Sequence, residues 1–412
     1  MNNSPFPPGM LRPVSPQAVQ IILFTALMGE VLSSTFWLES FGMDACRSIH
    51  FLCGIIIGGS ILVKTQPAPA TKQVHRGIIY LLLLTLVGWA GIRLNHLFNL
   101  SPLDYTKAQM LPVIKVMAER FWSFQPVYEI IPEIWGGIMP VYLPGSWLPF
   151  VPAVFFNFDL RWVTTFFIIS GVIGLFTFIR GSKKSLILWI PIGLWFDFML
   201  YNRNETLVLT EQGVVYGYYM LLALALYLRS YFWIGVLFAC CFLSQYTIVF
   251  FAGSVIACIY FYESTKQFRS LLTGAVISGF LLMTLGRAWS SLIQFMEFPA
   301  QYVNDFDSNP LKYQEVIQKG LGFVPWLQEV DSYWIYGSML VVLIGLGVLI
   351  FYFYRRLSGP FYLLAGLKFT LVVFYHLVLI PYPYLFYTSV WVSVVLVYIY
   401  FNHIEQKPVE SL

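Results

Sequence analysis

The chain has 412 residues, of which 58% are apolar, 18% aromatic and 11% charged, and its mean hydropathy is +0.72. Soluble domains carry about 25% charged residues, so this composition excludes a water-soluble globule. The formal net charge of +4, from 24 Lys+Arg against 20 Asp+Glu, is spread along the chain and leaves no footprint for nucleic acid. Membrane lipids and lipid-like substrates are the expected partners.

A membrane-spanning helix needs about 20 predominantly apolar residues, and lipid forces each backbone polar group to be satisfied within the span. An all-α, polytopic protein forming a single integral-membrane domain over 1–412 is therefore expected. The apolar runs fall at 19–36, 49–63, 77–94, 148–179, 186–200, 206–228, 231–244, 248–262, 271–287, 335–354, 361–379 and 385–401, about twelve spans. The Pro-rich segment 1–20 carries one cation, Arg12, and no small-residue cleavage site follows the first run, so that run reads as a retained anchor. The run 148–179 is too long for one straight span and is interrupted by Asp159-Leu160-Arg161. It reads as either a kinked helix or a short helix followed by a full one, with one net crossing. The five cysteines, Cys46, Cys53, Cys240, Cys241 and Cys258, show no ligand spacing and read as small apolar residues.

With that parity, Lys64, Lys72, Arg76, Arg180, Lys183, Lys184, Arg229, Lys266, Arg269, Arg355 and Arg356 share one side with Arg12 and Lys407, against only Glu263, Glu405 and Glu410. The positive-inside rule makes that side cytoplasmic and places both termini there. The long connections 95–147 and 288–334 then lie outside, with 37–47, 201–205 and 376–384. Loops held by a rigid scaffold carry function, so chemistry is expected on the external face. Within the first long loop, Leu111, Ile114, Met117, Ala118 and Phe121 recur at helical spacing against Lys107, Lys115, Glu119 and Arg120, predicting an interfacial helix over 105–121.

Asp104 heads that loop, directly after a span. A carboxylate there suits a general base acting on a substrate held at the membrane face; its competing role is an ordinary helix N-cap. Downstream, Tyr142-Leu143-Pro144 opens the fourth run, and Asp159-Leu160-Arg161 reads as an intramembrane pair that staples a helical break. Tyr201-Asn202-Arg203-Asn204-Glu205-Thr206 precedes a long apolar run, and Tyr375-His376 precedes Pro381-Tyr382-Pro383-Tyr384. Lys107, Arg203 and Arg287 are external cations able to meet a phosphate, although Lys and Arg at helix ends also snorkel to lipid head groups. His376, at a helix end, is either a hydrogen-bonded structural residue or a base. Glu129 and Glu133 are rival carboxylates in the same loop as Asp104. His50, His75, His96 and His403 form no ligand spacing.

The order of these elements resembles the GT-C glycosyltransferases, and within them the polyprenol-phosphate-mannose-dependent mannosyltransferases. An external Asp-Tyr follows an early helix, then come an interfacial helix, a Tyr-x-Pro segment, an Asp-x-Arg and an Asn, Arg and Glu turn. The chain departs from that pattern in having two spans before the one leading to Asp104. Its acid also stands alone, without an Asp-x-Asp or Glu-x-Asp partner, which weakens the case for a bound metal. The resemblance implies transfer of mannose or a related hexose from a polyprenyl-phosphate donor to a hydroxyl of a glycan or glycolipid acceptor. Asp104 and His376 would then be catalytic, and Tyr105, Lys107, Tyr142, Arg203, Asn204, Glu205, Arg287 and Tyr382 would bind substrate. No cofactor is implied beyond a loosely held divalent cation bridging phosphate oxygens.

Two other classes remain open from the sequence. A transporter or flippase would show paired halves and charges near the midplane, whereas no repeat is present and Glu30, Asp197 and Lys368 look few and scattered. A membrane polysaccharide polymerase or ligase would favour Arg-rich external loops, and these are mixed in sign. In the second loop, Glu297, Asp305, Asp307, Lys312, Glu315, Lys319, Glu329 and Asp331 lie among aromatic residues. That loop is expected either to cover a cleft or to pack at the interface.

Overall fold

The computed structural model describes residues 14–63, 73–101, 103, 110–134, 137–179, 181–201, 205–291, 303–304, 306–308, 310–327, 330–354 and 360–403. Among the described residues the structure is helical, with isolated bridges in place of strands. Its longer helices are α1 (Pro16–Ser34), α2 (Met43–Ser60), α3 (Arg76–Leu100), α4 (Met110–Trp122), α5 (Arg161–Phe178), α6 (Trp189–Tyr201) and α7 (Gln212–Tyr227). They continue with α8 (Tyr231–Phe242), α9 (Ile248–Tyr262), α10 (Thr265–Leu285), α11 (Pro310–Lys319), α12 (Ser332–Tyr354), α13 (Pro360–Leu377) and α14 (Pro383–His403). Seven helices among the described residues are long and apolar enough to cross a membrane: α1, α3, α5, α6 with its leading turn, α10, α12 and α14. The remaining expected runs hold α2 and the shorter apolar helices α7, α8, α9 and α13.

Helix starts follow local chemistry. Proline opens α1 and α14, where its fixed φ suits the first turn and its missing N–H costs nothing. A reciprocal capping box between Ser264 and Gln267 opens α10. The helix α14 is apolar all round and forms the centre of the bundle, packed by α1, α2, α7 and α13. The apolar window of α14 is 89% buried, against 17% for α10. On α3, α10 and α12 the outward residues are instead Leu84, Ile92, Val276, Phe280, Val341 and Val348. An apolar outer surface around an equally apolar core is stable only where lipid replaces water.

Glycines set the tightest helix contacts. A Cβ at Gly235 of α8 would collide with the Leu271 carbonyl of α10, and one at Gly274 of α10 with the Phe232 carbonyl of α8. Gly213 and Gly217 admit α7 onto the Thr164–Phe167 turn of α5 in the same way. Lipid supplies no hydrophobic drive between helices, so such close backbone approach is what holds them together.

Two expected spans are broken. The run 148–179 becomes a 3-10 turn (Leu148–Phe150), a short helix (Val151–Phe155), a bend at Asn157 with φ 52° and then α5. Arg161 fixes this break: its guanidinium pairs with Asp159 at 2.5 Å and donates to the carbonyls of Ser101 (2.5 Å) and Phe98 (2.9 Å), tying α5 to the end of α3. The run 206–228 is a short helix (Glu205–Leu209), a turn at Thr210–Glu211 and α7.

The connections sort to two ends. At one end, Val74 N–H donates to Gly181 O, Ser182 N–H to Asn402 Oδ1 and Tyr354 O–H to Glu263 Oε1. The other end is roofed. The apolar side of α4 (Leu111, Val113, Ile114, Met117, Ala118) is buried against the 144–155 segment, while Lys115 pairs with Glu119 at 3.7 Å. The stretch 317–327 lies across α2 and α13. Arg47 of α2 donates to the carbonyls of Ile317, Gln318 and Gly320 and pairs with Asp44 at 2.6 Å, and Asp44 in turn accepts from the Trp326 indole.

Candidate functional site

Beneath the roofed end lie two polar clusters. The first is built where α7 begins. Glu211 occupies the turn outside both neighbouring helices and is 4% exposed. Its Oε1 accepts from Gln212 Nε2 at 2.9 Å, Gln212 Oε1 accepts from Gln245 Nε2 at 2.8 Å, and Gln245 Oε1 accepts from Tyr375 O–H at 3.0 Å. Every donor in this chain points towards the carboxyl, yet Oε2 of Glu211 has no hydrogen-bond partner. An unpartnered carboxyl oxygen in a buried site marks Glu211 as a candidate substrate-gripping group.

Tyr142 lies within electrostatic range of both Glu211 and Tyr382, and burial first, then these neighbours, pushes its phenol well up. Each tyrosine is positioned by its segment. Tyr142 precedes a short helix (Pro144–Trp147) that is stapled to the end of α8: Gly145 N–H donates to Leu243 O at 2.7 Å and Ser146 Oγ–H to Ser244 O at 3.1 Å. Only glycine fits at 145, because a Cβ would stand 2.6 Å from the Leu243 carbonyl oxygen. The Tyr382 ring stacks on Tyr384 at 5.2 Å and 11°, and the Tyr384 carbonyl accepts from Tyr216 of α7 at 2.6 Å.

Arg287 belongs to the same end. It follows Gly286, whose Cα packs against Pro144, and its guanidinium is exposed over the rings of Phe121 and Phe124 at 5.4 and 5.2 Å. On the flank, α3, α5, α10 and the 148–152 turn enclose a cavity of about 840 Å³, lined by Val87, Leu148, Pro152, Trp162, Phe166 and Leu282 among other residues.

The second cluster joins four helices. Glu30 of α1, His50 of α2, and Lys368 and His376 of α13 are all fully buried. Lys368 pairs with Glu30 and donates to Ser389 Oγ (2.6 Å) and Ser389 O (3.1 Å) of α14. The Ser389 hydroxyl donates to Glu30 Oε1 at 3.2 Å. His50 Nδ1 lies 3.3 Å from His376 Nε2, and His50 Nε2 lies 3.8 Å from Glu30 Oε1. The rings of Phe51, Phe323 and Phe386 close around His376.

Of the residues singled out in the sequence, Tyr142, Tyr382 and Arg287 are brought to the roofed end, Tyr142 near both Glu211 and Tyr382. His376 does not open to the external face: it is sealed by aromatic rings and paired with His50. Glu30 and Lys368, far from being scattered, form one ion pair, and only Asp197 stands apart from it. Asp104, Tyr105, Lys107, Arg203 and Asn204 lie outside the described residues, as does the side chain of Glu205, whose backbone opens the short helix before the Glu211 turn. Glu129 and Glu133 are exposed. In the second loop, Asp307 accepts from the Ser332 hydroxyl and Asp331 from Tyr333 N–H, which are structural roles. Sequence reasoning missed Glu211, Gln212 and Gln245; the signal was Thr210-Glu211-Gln212, three polar residues interrupting an apolar run. No set of three metal-ligating groups occurs among the described residues.

Comparison with known protein families, characterised proteins and solved structures finds no match to this chain.

Proposed function

We propose that the protein is a membrane glycosyltransferase of GT-C type with about twelve spans and both termini cytoplasmic. It moves mannose or a related hexose from a polyprenyl-phosphate donor to a hydroxyl of a glycan or glycolipid acceptor. The observation that supports this reading is the polar set at the roofed end: Glu211 with an unpartnered oxygen, the Gln212–Gln245 amides in series, Tyr142 near Glu211 and Tyr382 near Tyr142. In the proposed reaction Asp104 removes the acceptor proton, the acceptor oxygen bonds to the sugar C1, and the bond from C1 to the phosphate oxygen breaks with its electron pair leaving on polyprenyl phosphate. Charge grows on that phosphate, so Arg287, Lys107 and Arg203 are its proposed donors. Glu211, Tyr142 and Tyr382 hold sugar hydroxyls, and the flanking apolar cavity suits the start of the lipid chain.

The test is transfer by purified protein in lipid, from radiolabelled polyprenyl-phosphate-mannose to a panel of glycan and glycolipid acceptors. Asp104→Asn and Glu211→Gln are compared with wild type, with and without a chelator. Transfer abolished by Asp104→Asn and weakened by Glu211→Gln is the expected result, and unaltered transfer in both variants refutes the assignment. The buried Glu30–Lys368–His50–His376 array favours one second reading, a transporter or flippase for a lipid-linked saccharide, because ionisable residues inside a membrane usually mark a transport pathway. Movement of labelled donor across a vesicle membrane without any transfer would select it.

A further inference from the structure

The proton inventory of the four-helix array is one short. His376 Nδ1 lies 2.7 Å from the Val372 carbonyl, which can only accept, so Nδ1 carries hydrogen. A neutral His376 then presents a lone pair at Nε2, and His50 must donate to it from Nδ1. That leaves a lone pair at His50 Nε2, facing Glu30 Oε1 across 3.8 Å. Two acceptors oppose each other in a fully buried site, and neither His50 Nε2 nor Glu30 Oε2 has a hydrogen-bond partner. Reversing the histidine pair changes nothing: if His376 donates from Nε2 it is already an imidazolium, and His50 Nε2–H then meets Glu30. In both arrangements one added proton gives every contact a donor and an acceptor.

We propose that Glu30, His50 and His376 form a binding site for one exchangeable proton, held on the imidazole pair. Lys368 and the Ser389 hydroxyl both donate to Glu30 Oε1, so the contact that lacks a hydrogen is the one between that oxygen and His50 Nε2. The groups facing the site are Glu30 from α1, His50 and the Cys53 thiol from α2, and Lys368 and His376 from α13. From α14 come Ser389 and the Phe386 ring, and from the roof, among the described residues, Phe323. The Phe323 N–H donates to the His376 carbonyl at 2.8 Å, so the roof touches the same residue that holds the proton. The inference is independent of the proposed function and applies equally to a transferase or a transporter.

The array pair can be observed without altering it. The chain has five histidines, and His75, His96 and His403 are exposed, so their replacement by Gln leaves only His50 and His376. Histidine-selective ¹⁵N spectra of that variant in lipid nanodiscs, from about pH 5 to about pH 9, are expected to show one imidazolium shared by the pair. Glu30→Gln combined with Lys368→Met keeps the site charge-balanced and supplies an amide N–H towards His50 Nε2, so the imidazolium signature should then be lost. Two neutral imidazoles throughout the range in the otherwise unaltered array would mean that a bridging water fills the gap, and would overturn the proposal. Persistence of the imidazolium in the charge-balanced variant would equally overturn the role of Glu30.

Discussion

Lys368→Met isolates the energetic core of the bundle. The ammonium donates to Glu30 Oε1, Ser389 Oγ and Ser389 O, and all three acceptors lie at a site with no exposure. Methionine fills a similar volume but leaves the carboxylate unpaired, and breaking a buried ion pair from one side costs about 3–5 kcal/mol. Ordinary interhelical hydrogen bonds in membranes average about 0.6 kcal/mol, so the two magnitudes separate the explanations. The assay is equilibrium unfolding in mixed micelles, followed by circular dichroism, for Lys368→Met, Glu30→Gln and the double variant. Each single change should cost about 3 kcal/mol or more, while the double should return to within about 1–2 kcal/mol of wild type, because removing both partners removes the penalty. Additive losses would show that the two side chains do not act as a pair and would refute the reasoning.

Three further perturbations test other parts of the structure. Gly235→Leu drives a side chain into the Leu271 carbonyl and should destabilise the α8–α10 contact by about 1–3 kcal/mol or more, whereas Gly279→Ala, whose Cβ would rest 3.8 Å from Ala239, should be nearly neutral in the same unfolding assay. Arg47→Met removes the donors to Ile317, Gln318 and Gly320 and should speed amide exchange across 317–327; Lys319→Met, which breaks an exposed pair with Glu315, should leave that exchange and the stability nearly unchanged. Glu211→Gln replaces a carboxyl that accepts from Gln212 with an amide, and should weaken transfer in the lipid assay without abolishing it.

Much of the fold was legible because lipid simplifies the code. A run such as 383–403 needs no periodicity to be recognised as a membrane-length helix, but lack of a polar face suits lipid and protein surroundings alike, and only the packing puts α14 at the centre while the more apolar α12 faces outward. The breaks were legible where charge interrupted apolarity, as at Asp159-Leu160-Arg161, and illegible where the interruption was shorter in effect, as at Glu211. The four-helix array could not be read from the chain. Glu30 and Lys368 stand 338 positions apart, and each alone is a polar residue in an apolar helix; only the packing of α1 and α2 against α13 and α14 makes them partners. His376 illustrates the same limit. Its place near Pro381-Tyr382-Pro383-Tyr384 was visible, but the roof contributed by 320–327, which buries it, is held by Arg47 from the other end of the chain.

The two polar clusters meet on one helix. Tyr375 ends the donor chain that runs to Glu211, and His376, the next residue, belongs to the proton-deficient array. Successive residues on a helix point about 100° apart, so α13 presents one cluster on each of two neighbouring faces, and any rotation or shift of its last turn moves both. Physical coupling needs such a shared element. Tyr375→Phe removes only the hydroxyl that donates to Gln245, leaving the ring packing in place. If α13 transmits between the clusters, this change should displace the ¹⁵N signals of His50 and His376. Tyr398→Phe, which deletes an equally buried hydroxyl bonded to Ile179 O at the opposite end of α14, should leave them in place. Identical spectra for wild type and Tyr375→Phe would mean that the clusters are neighbours without communication.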